Sequence, residues 1–183
     1  MAEIFLIASE TEPVDVLSDR LAKTLASVAA PVLLIKVGTV SDADYLDRVA
    51  PLLTIAQKAG CAVLLDDRPH LVRQADADGV HMSGGIKTLR EAIADLKPDF
   101  IVGTGDIGSR HEAMSRGELD LDYLMFGDRD DVDGRDMAQW WAETFEVPCV
   151  YRALPDDGDL GTVKSEFIAV SDWTLLASMT VTA

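Results

Sequence analysis

Short apolar runs alternate with amphipathic segments along the whole chain, and this alternation restricts the fold more than any other feature. A chain that reads strand, helix, strand, helix from end to end belongs to the α/β class, with a sheet covered by helices. The clearest unit runs from Cys61 to Met82, CAVLLDDRPHLVRQADADGVHM. Its apolar strand, Ala62–Leu65, ends in two adjacent carboxylates, Asp66 and Asp67. A short amphipathic segment follows, and then a second strand, Gly79–Met82. In parallel α/β folds the carboxyl ends of strands carry the chemistry, so two carboxylates there form either a small cation-binding corner or an acid–base pair.

Strands are expected at Ile4–Ala8, Val32–Val37, Ala62–Leu65, Gly79–Met82, Phe100–Val102, Tyr123–Phe126, Val147–Tyr151 and Phe167–Val170. Helices are expected between them at Val14–Val28, Asp44–Ala59, Leu71–Ala75, Thr88–Leu96, Ser109–Arg116 and Arg135–Phe145, with a last one from Trp173 to about Met179. Pro51 lies inside the second helical pattern and predicts a kink or a later start. Asp156 to Asp159 reads as loop, so the helix after the seventh strand is reduced or missing. Eight strands, each followed by a helix or loop, predict a compact single-domain TIM (β/α)8 barrel with short loops over residues 1–183. About 250 residues is usual for that fold, so nearly every connection has to be minimal. The alternative is an open, doubly wound sheet of five or six strands. Gly103-Thr104-Gly105-Asp106-Ile107-Gly108 has the spacing of a phosphate cradle, but Asp106 in its middle argues against an anion.

With 16 basic and 32 acidic residues the net charge is −16. Such a surface repels nucleic acid and anionic membranes, so neither is an expected partner. It also repels phosphorylated ligands unless a metal or local basic groups intervene. The start of the chain does not read as a signal peptide, and no apolar stretch of about 18 residues exists, so a cytoplasmic location is expected. Cys61 and Cys149 each open an apolar run and read as reduced, buried side chains. Trp140 and Trp141 read as packing against the barrel wall, and could equally form the interface of a homodimer.

In a barrel, the residues just past each strand line one mouth. These are Ser9 and Glu10, Lys36, Asp66 to Arg68, His81, Thr104 and Asp106, Asp128 and Arg129, Arg152, Ser171 and Asp172. Neighbours in a strand point to opposite sides, so only one of Asp66 and Asp67 faces the barrel axis. His81 reads first as a hydrogen-bonded core histidine. His70 and His111 read as solvated. The acidic loop Asp128 to Gly134 lacks the terminal Glu of a calcium loop.

The segment LLDDRPHLVRQADADGVHM resembles the signature of the thiamine phosphate synthase family and its tautomerase-like relatives, an apolar strand with Asn-Asp-Arg and then Ala-Asp-Gly-Val-His. Phe100-Ile101-Val102-Gly103 and Leu121-Asp122-Tyr123 fall at the family's spacing, and the central third of the chain carries the likeness. The resemblance implies a compact (β/α)8 barrel that joins hydroxymethylpyrimidine pyrophosphate to thiazole phosphate, with Mg²⁺ on the pyrophosphate. It puts Asp67 at the metal-binding aspartate. Asp66 stands in place of the usual Asn and Lys36 in place of an Arg. Leu34 and Gly38 replace a Gln and a Lys, Ser83-Gly84-Gly85-Ile86 lacks the second metal-binding carboxylate, and Arg152-Ala153-Leu154 replaces phosphate-binding glycines. The implied substrate contacts are therefore Lys36, Asp66, His81, Gly105, Arg129, Arg152 and Ser171, around a degenerate phosphate and metal site for a small phosphorylated or heterocyclic ligand. Two other readings stand beside this one: a diverged, non-synthase barrel that binds a small ligand, and a barrel enzyme using Asp67 and His81 as an acid–base pair.

Overall fold

The computed structural model describes residues 2–9, 12–155, 157 and 159–176. Its centre is a closed barrel of eight parallel strands in sequence order. They are β1 (Glu3–Ala8), β2 (Val32–Ile35), β3 (Ala62–Asp66), β4 (Gly79–Met82), β5 (Ile101–Thr104), β6 (Tyr123–Phe126), β7 (Cys149–Arg152) and β8 (Phe167–Val170). The ring closes through β1 and β8, with Leu6 opposite Val170. This excludes the open-sheet alternative.

The helices are α1 (Val14–Ser27), α2 (Asp42–Lys58), α3 (Val72–Ala75), α4 (Ile86–Leu96), α5 (Arg110–Gly117) and α6 (Gly134–Thr144). Ser41 starts α2 by accepting the Asp44 N–H, so the helix begins earlier than Pro51 suggested. Pro51 is tolerated because it and Asp47, whose carbonyl loses a partner, lie on the exposed side. Ser109 and Asp133 cap α5 and α6 in the same way. The length is explained by economy: α3 is one turn, and between β7 and β8 the described residues form only a 3-10 turn at Leu160–Thr162. A further 3-10 turn, Trp173–Leu175, opens where a final helix was expected, and positions 177–179 lie outside the described residues, as does Glu10.

Strand alternation divides the apolar residues into two cores. Leu6, Leu33, Val63, Val80, Val102, Leu124, Cys149 and Ile168 face outward and pack under the helices together with Trp141 and Cys61. Phe5, Ile7, Leu34, Leu64, Tyr123, Met125, Val150 and Ala169 face the barrel axis. Truncating a buried leucine of either layer, such as Leu64→Ala, costs about 2–5 kcal/mol through lost burial and the remaining void. At the amino ends of the strands, acidic side chains clasp neighbouring backbone. Asp78 accepts the Val63 N–H at 2.7 Å, Asp122 that of Val102 at 2.7 Å, and Glu166 that of Cys149 at 2.8 Å. In each case the residue before an even strand holds the start of the odd strand preceding it.

Candidate ligand site at the barrel mouth

Continuing the inward alternation past the apolar layer fixes what the carboxyl-end mouth contains. From Leu34 it leads to Lys36, from Leu64 to Asp66, from Val150 to Arg152 and from Ala169 to Ser171. His81 follows Gly79 and pairs in register with Asp66. These residues share the barrel axis.

Lys36 Nζ lies 3.8 Å from Asp66 Oδ1, an ion pair too long for a hydrogen bond. Burial pushes the Asp66 carboxyl up to about 6, with Lys36 opposing the rise. Tyr45, whose hydroxyl donates to the Ile35 carbonyl, accepts the Asp66 backbone N–H and holds the strand end in place. His81 is fully buried, with Nδ1 2.8 Å from the Tyr123 hydroxyl. Burial, with Lys36 and Arg116 adding repulsion, lowers its pKa to about 3, so the ring is neutral. Three buried atoms in this layer lack hydrogen-bond partners: Asp66 Oδ1, His81 Nε2 and Ser171 Oγ. The Arg152 guanidinium has no partner among the described residues either. Unsatisfied buried polar atoms in one layer at the mouth of a barrel are what a polar ligand would satisfy.

The remaining expected residues sit differently. Asp67 has a left-handed backbone, φ 50°, and is exposed. Its carboxylate accepts the Ser83 N–H at 2.7 Å. The carboxylate on the inward face of His81 is thus Asp66, and Asp67 and His81 do not form an acid–base pair of touching side chains. Gly105 spends its N–H on the Met82 carbonyl and its own carbonyl on Arg116, so its contribution is space. A Cβ there would come within 2.5 Å of Asp128 Oδ2 and 2.7 Å of His81 Nε2. Arg129 is held by Asp131 at 2.7 Å and Asp106 at 3.5 Å, on the loop after β6. Arg68 is spent on the carbonyls of Gly38 and Val40. Thr104 does not face the mouth: it is buried on the outer side, bonded to Met82 and Arg116.

Sequence reading missed Tyr123 and Arg116. Tyr123 shares the inward parity of Met125, a usable signal; Arg116 gave only its Glu112 i,i+4 spacing.

Backbone donors that could cradle an anion are filled from within. Asp128 takes the Asp106 N–H, Glu112 that of Gly108 and Asp172 that of Thr174. The fit to Mg²⁺ is poor for the same reason. No group of three or more His, Cys, Asp or Glu among the described residues could hold an ion. Asp67 is already bonded, and Asp66 faces an ammonium. Mg²⁺ requires several oxygen ligands, and these residues do not supply a preformed site.

A family model described as thiamine monophosphate synthase matches residues 4–152, well beyond the central third that carried the likeness. A thiamine-phosphate synthase of Hyphomonas neptunium is 33% identical over 133 residues, covering 67% of this chain and 60% of that protein. One of Rhodospirillum centenum is 35% identical over 117 residues, covering 60% and 56%. The chain thus spans about three fifths of the length of these curated relatives. Among solved structures, a thiamine phosphate pyrophosphorylase from Pyrococcus furiosus superposes with a TM-score of 0.75 at 18% identity, over 91% of this chain and 85% of that one. A 4-hydroxy-2-oxoglutarate aldolase/2-deydro-3-deoxyphosphogluconate aldolase superposes with a TM-score of 0.66 at 17% identity, a likeness of fold.

Proposed function

Since the chain belongs to the thiamine monophosphate synthase family, we propose that its barrel mouth takes a small phosphorylated heterocycle. The candidate activity is the coupling of hydroxymethylpyrimidine pyrophosphate to thiazole phosphate. The observation that carries this reading is a layer of inward-facing residues in which Asp66 Oδ1, His81 Nε2 and Ser171 Oγ are buried without a hydrogen-bond partner, shared with Lys36 and Arg152. Lys36 and Arg152 supply positive charge for phosphate oxygens, a role for which a charge-assisted hydrogen bond is well suited. Neutral His81 presents Nε2 to a ring nitrogen or amino group, with its other nitrogen fixed by Tyr123. Ser171 offers a hydroxyl on the opposite wall. Relatives of this kind are expected to use Mg²⁺. Asp67 stands at the position the family likeness gives to a metal-binding aspartate, and its carboxylate already accepts the Ser83 N–H.

Incubation with both phosphorylated precursors, with and without Mg²⁺, tests the proposal. Thiamine phosphate should form, and Lys36→Ala and Arg152→Ala should each reduce its rate by about tenfold or more, as lost charge-assisted contacts do. Absence of product would overturn the synthase reading. A second reading, a diverged binder of a non-phosphorylated heterocycle, is favoured by the carboxylates already filling the Asp106, Gly108 and Thr174 N–H groups. It predicts no heat on titration with inorganic pyrophosphate, but thermal stabilisation by a free aminopyrimidine. A single domain spanning residues 1–183 and a cytoplasmic location belong to the same proposal. Among the described residues no helix is long and apolar enough to cross a membrane.

A further inference from the structure

At its other end the barrel carries a partly open hollow. A cavity of about 250 Å³ lies among the amino-terminal halves of the strands. The rings of Phe5, Tyr123 and Phe167 line it, with Val32 and Val150. Asp122 is the charged residue beside it, and its oxygens are taken by Lys97 Nζ at 2.8 Å and the Val102 N–H. The one charged side chain in the described lining is thus already paired. Water inside such a space would find few hydrogen-bond partners, and an apolar cavity of about 150 Å³ is already large enough to take benzene. Phe5 meets Tyr123 edge-on at 5.5 Å and Phe167 edge-on at 6.5 Å, an arrangement suited to receiving a further ring.

Tyr123 belongs to both ends of the barrel. Its ring is a wall of this cavity, and its hydroxyl holds Nδ1 of buried His81 at the opposite mouth. The ring can take that position because residue 103 is glycine: a Cβ there would lie 2.1 Å from the Tyr123 ring.

We propose that the amino-terminal end of the barrel binds a compact, uncharged one- or two-ring molecule, and that Tyr123 couples its presence to His81. The affinity of this site is independent of whether the opposite mouth catalyses any reaction. Its coupling to the mouth is reciprocal: whatever this ring does to His81, a ligand on His81 does in return.

Indole is a suitable probe, titrated into isotope-labelled protein and followed by NMR. Saturable shifts are expected in the ring signals of Phe5, Tyr123 and Phe167, with the His81 ring signals moving in parallel. A rise in Tm of about 2–4 °C should accompany saturation. Val150→Phe places a ring in the cavity and should abolish the saturable shifts; Val32→Phe, at the outer end of β2, does so with less demand on the core if the first variant fails to fold. Tyr123→Phe should still bind indole but leave the His81 signals unmoved. Absence of saturation in the wild type, or equal shifts in a folded filled variant, overturns the site. His81 signals that still respond in Tyr123→Phe overturn the coupling. Neither result depends on the synthase assay, so the two proposals fail separately.

Discussion

At the scale of single residues, burial pushes the Asp66 carboxyl up to about 6, with the charge of Asp67 adding to the rise and Lys36 opposing it. Unfolded, the same carboxyl titrates near about 3.9. Between these values the folded state holds the extra proton, so the contribution of Asp66 to stability falls as pH rises from about 4 to about 6. His81 acts in the other direction. Burial keeps it neutral down to about 3, whereas an unfolded histidine gains its proton below about 6.5. Its contribution is lost as pH falls from about 6.5. The two slopes overlap and oppose each other. Asp66→Asn should therefore make the urea midpoint fall more steeply than in the wild type between about pH 6.5 and 4.5, and His81→Gln should make it fall less. A parallel pH profile for all three proteins contradicts this assignment. Tyr123→Phe tests the same layer differently: it leaves His81 Nδ1 buried and unpartnered, which should cost about 1–3 kcal/mol in denaturant unfolding.

Among the secondary elements, β4, β6 and β8 have the boundaries that their apolar runs predict. β1, β2 and β3 keep one expected end each, β2 stopping at Ile35 short of Val37, and β5 and β7 are displaced at both ends, each for a local reason. β5 continues past the expected end at Val102 through Gly103 to Thr104; glycine stands at 103 because the Tyr123 ring occupies the place of a side chain. β7 starts at Cys149, because Pro148 has no N–H to donate to a ladder. That only one of Asp66 and Asp67 faces the axis was legible because strand parity is rigid, and the structure puts Asp66 there. The fates of Asp67, Arg129 and Gly105 were not, because loop side chains choose their partners in three dimensions. Gly103→Ala should be among the most damaging small substitutions in the barrel. The methyl must displace the Tyr123 ring, so a loss of about 1–3 kcal/mol or more is expected in denaturant unfolding, with a shift in the tyrosine near-UV signal. Asp122→Ala leaves the Val102 N–H unanswered and should cost about 1–3 kcal/mol by the same measurement.

For the whole molecule, the excess of 16 negative charges acts on the folded state as self-repulsion. Local ion pairs relieve it: Arg20 with Glu12, Arg73 with Asp95, Arg110 with Asp136 and Lys164 with Glu143, all at 2.7–2.9 Å on the surface. Such pairs are individually weak and screened by salt, while the net repulsion is long-ranged. Raising NaCl from about 10 to 150 mM, which shortens the Debye length from about 30 to 8 Å, should therefore raise Tm rather than lower it. A fall in Tm would mean that the pairs outweigh the net charge.

The carboxylate clasps from Asp78, Asp122 and Glu166 tie β3 to β4, β5 to β6 and β7 to β8. β1 is joined at this rim through the Glu3 N–H and the Glu166 carbonyl, a backbone contact of 2.8 Å. Each odd–even strand pair after the first thus carries a side-chain clasp in addition to its backbone ladder, and slow opening should follow these clasps. In deuterated solvent the amides of Val63, Val102 and Cys149 should be replaced late, and those along the seam between β1 and β2 earlier, so that the molecule opens from its first strands.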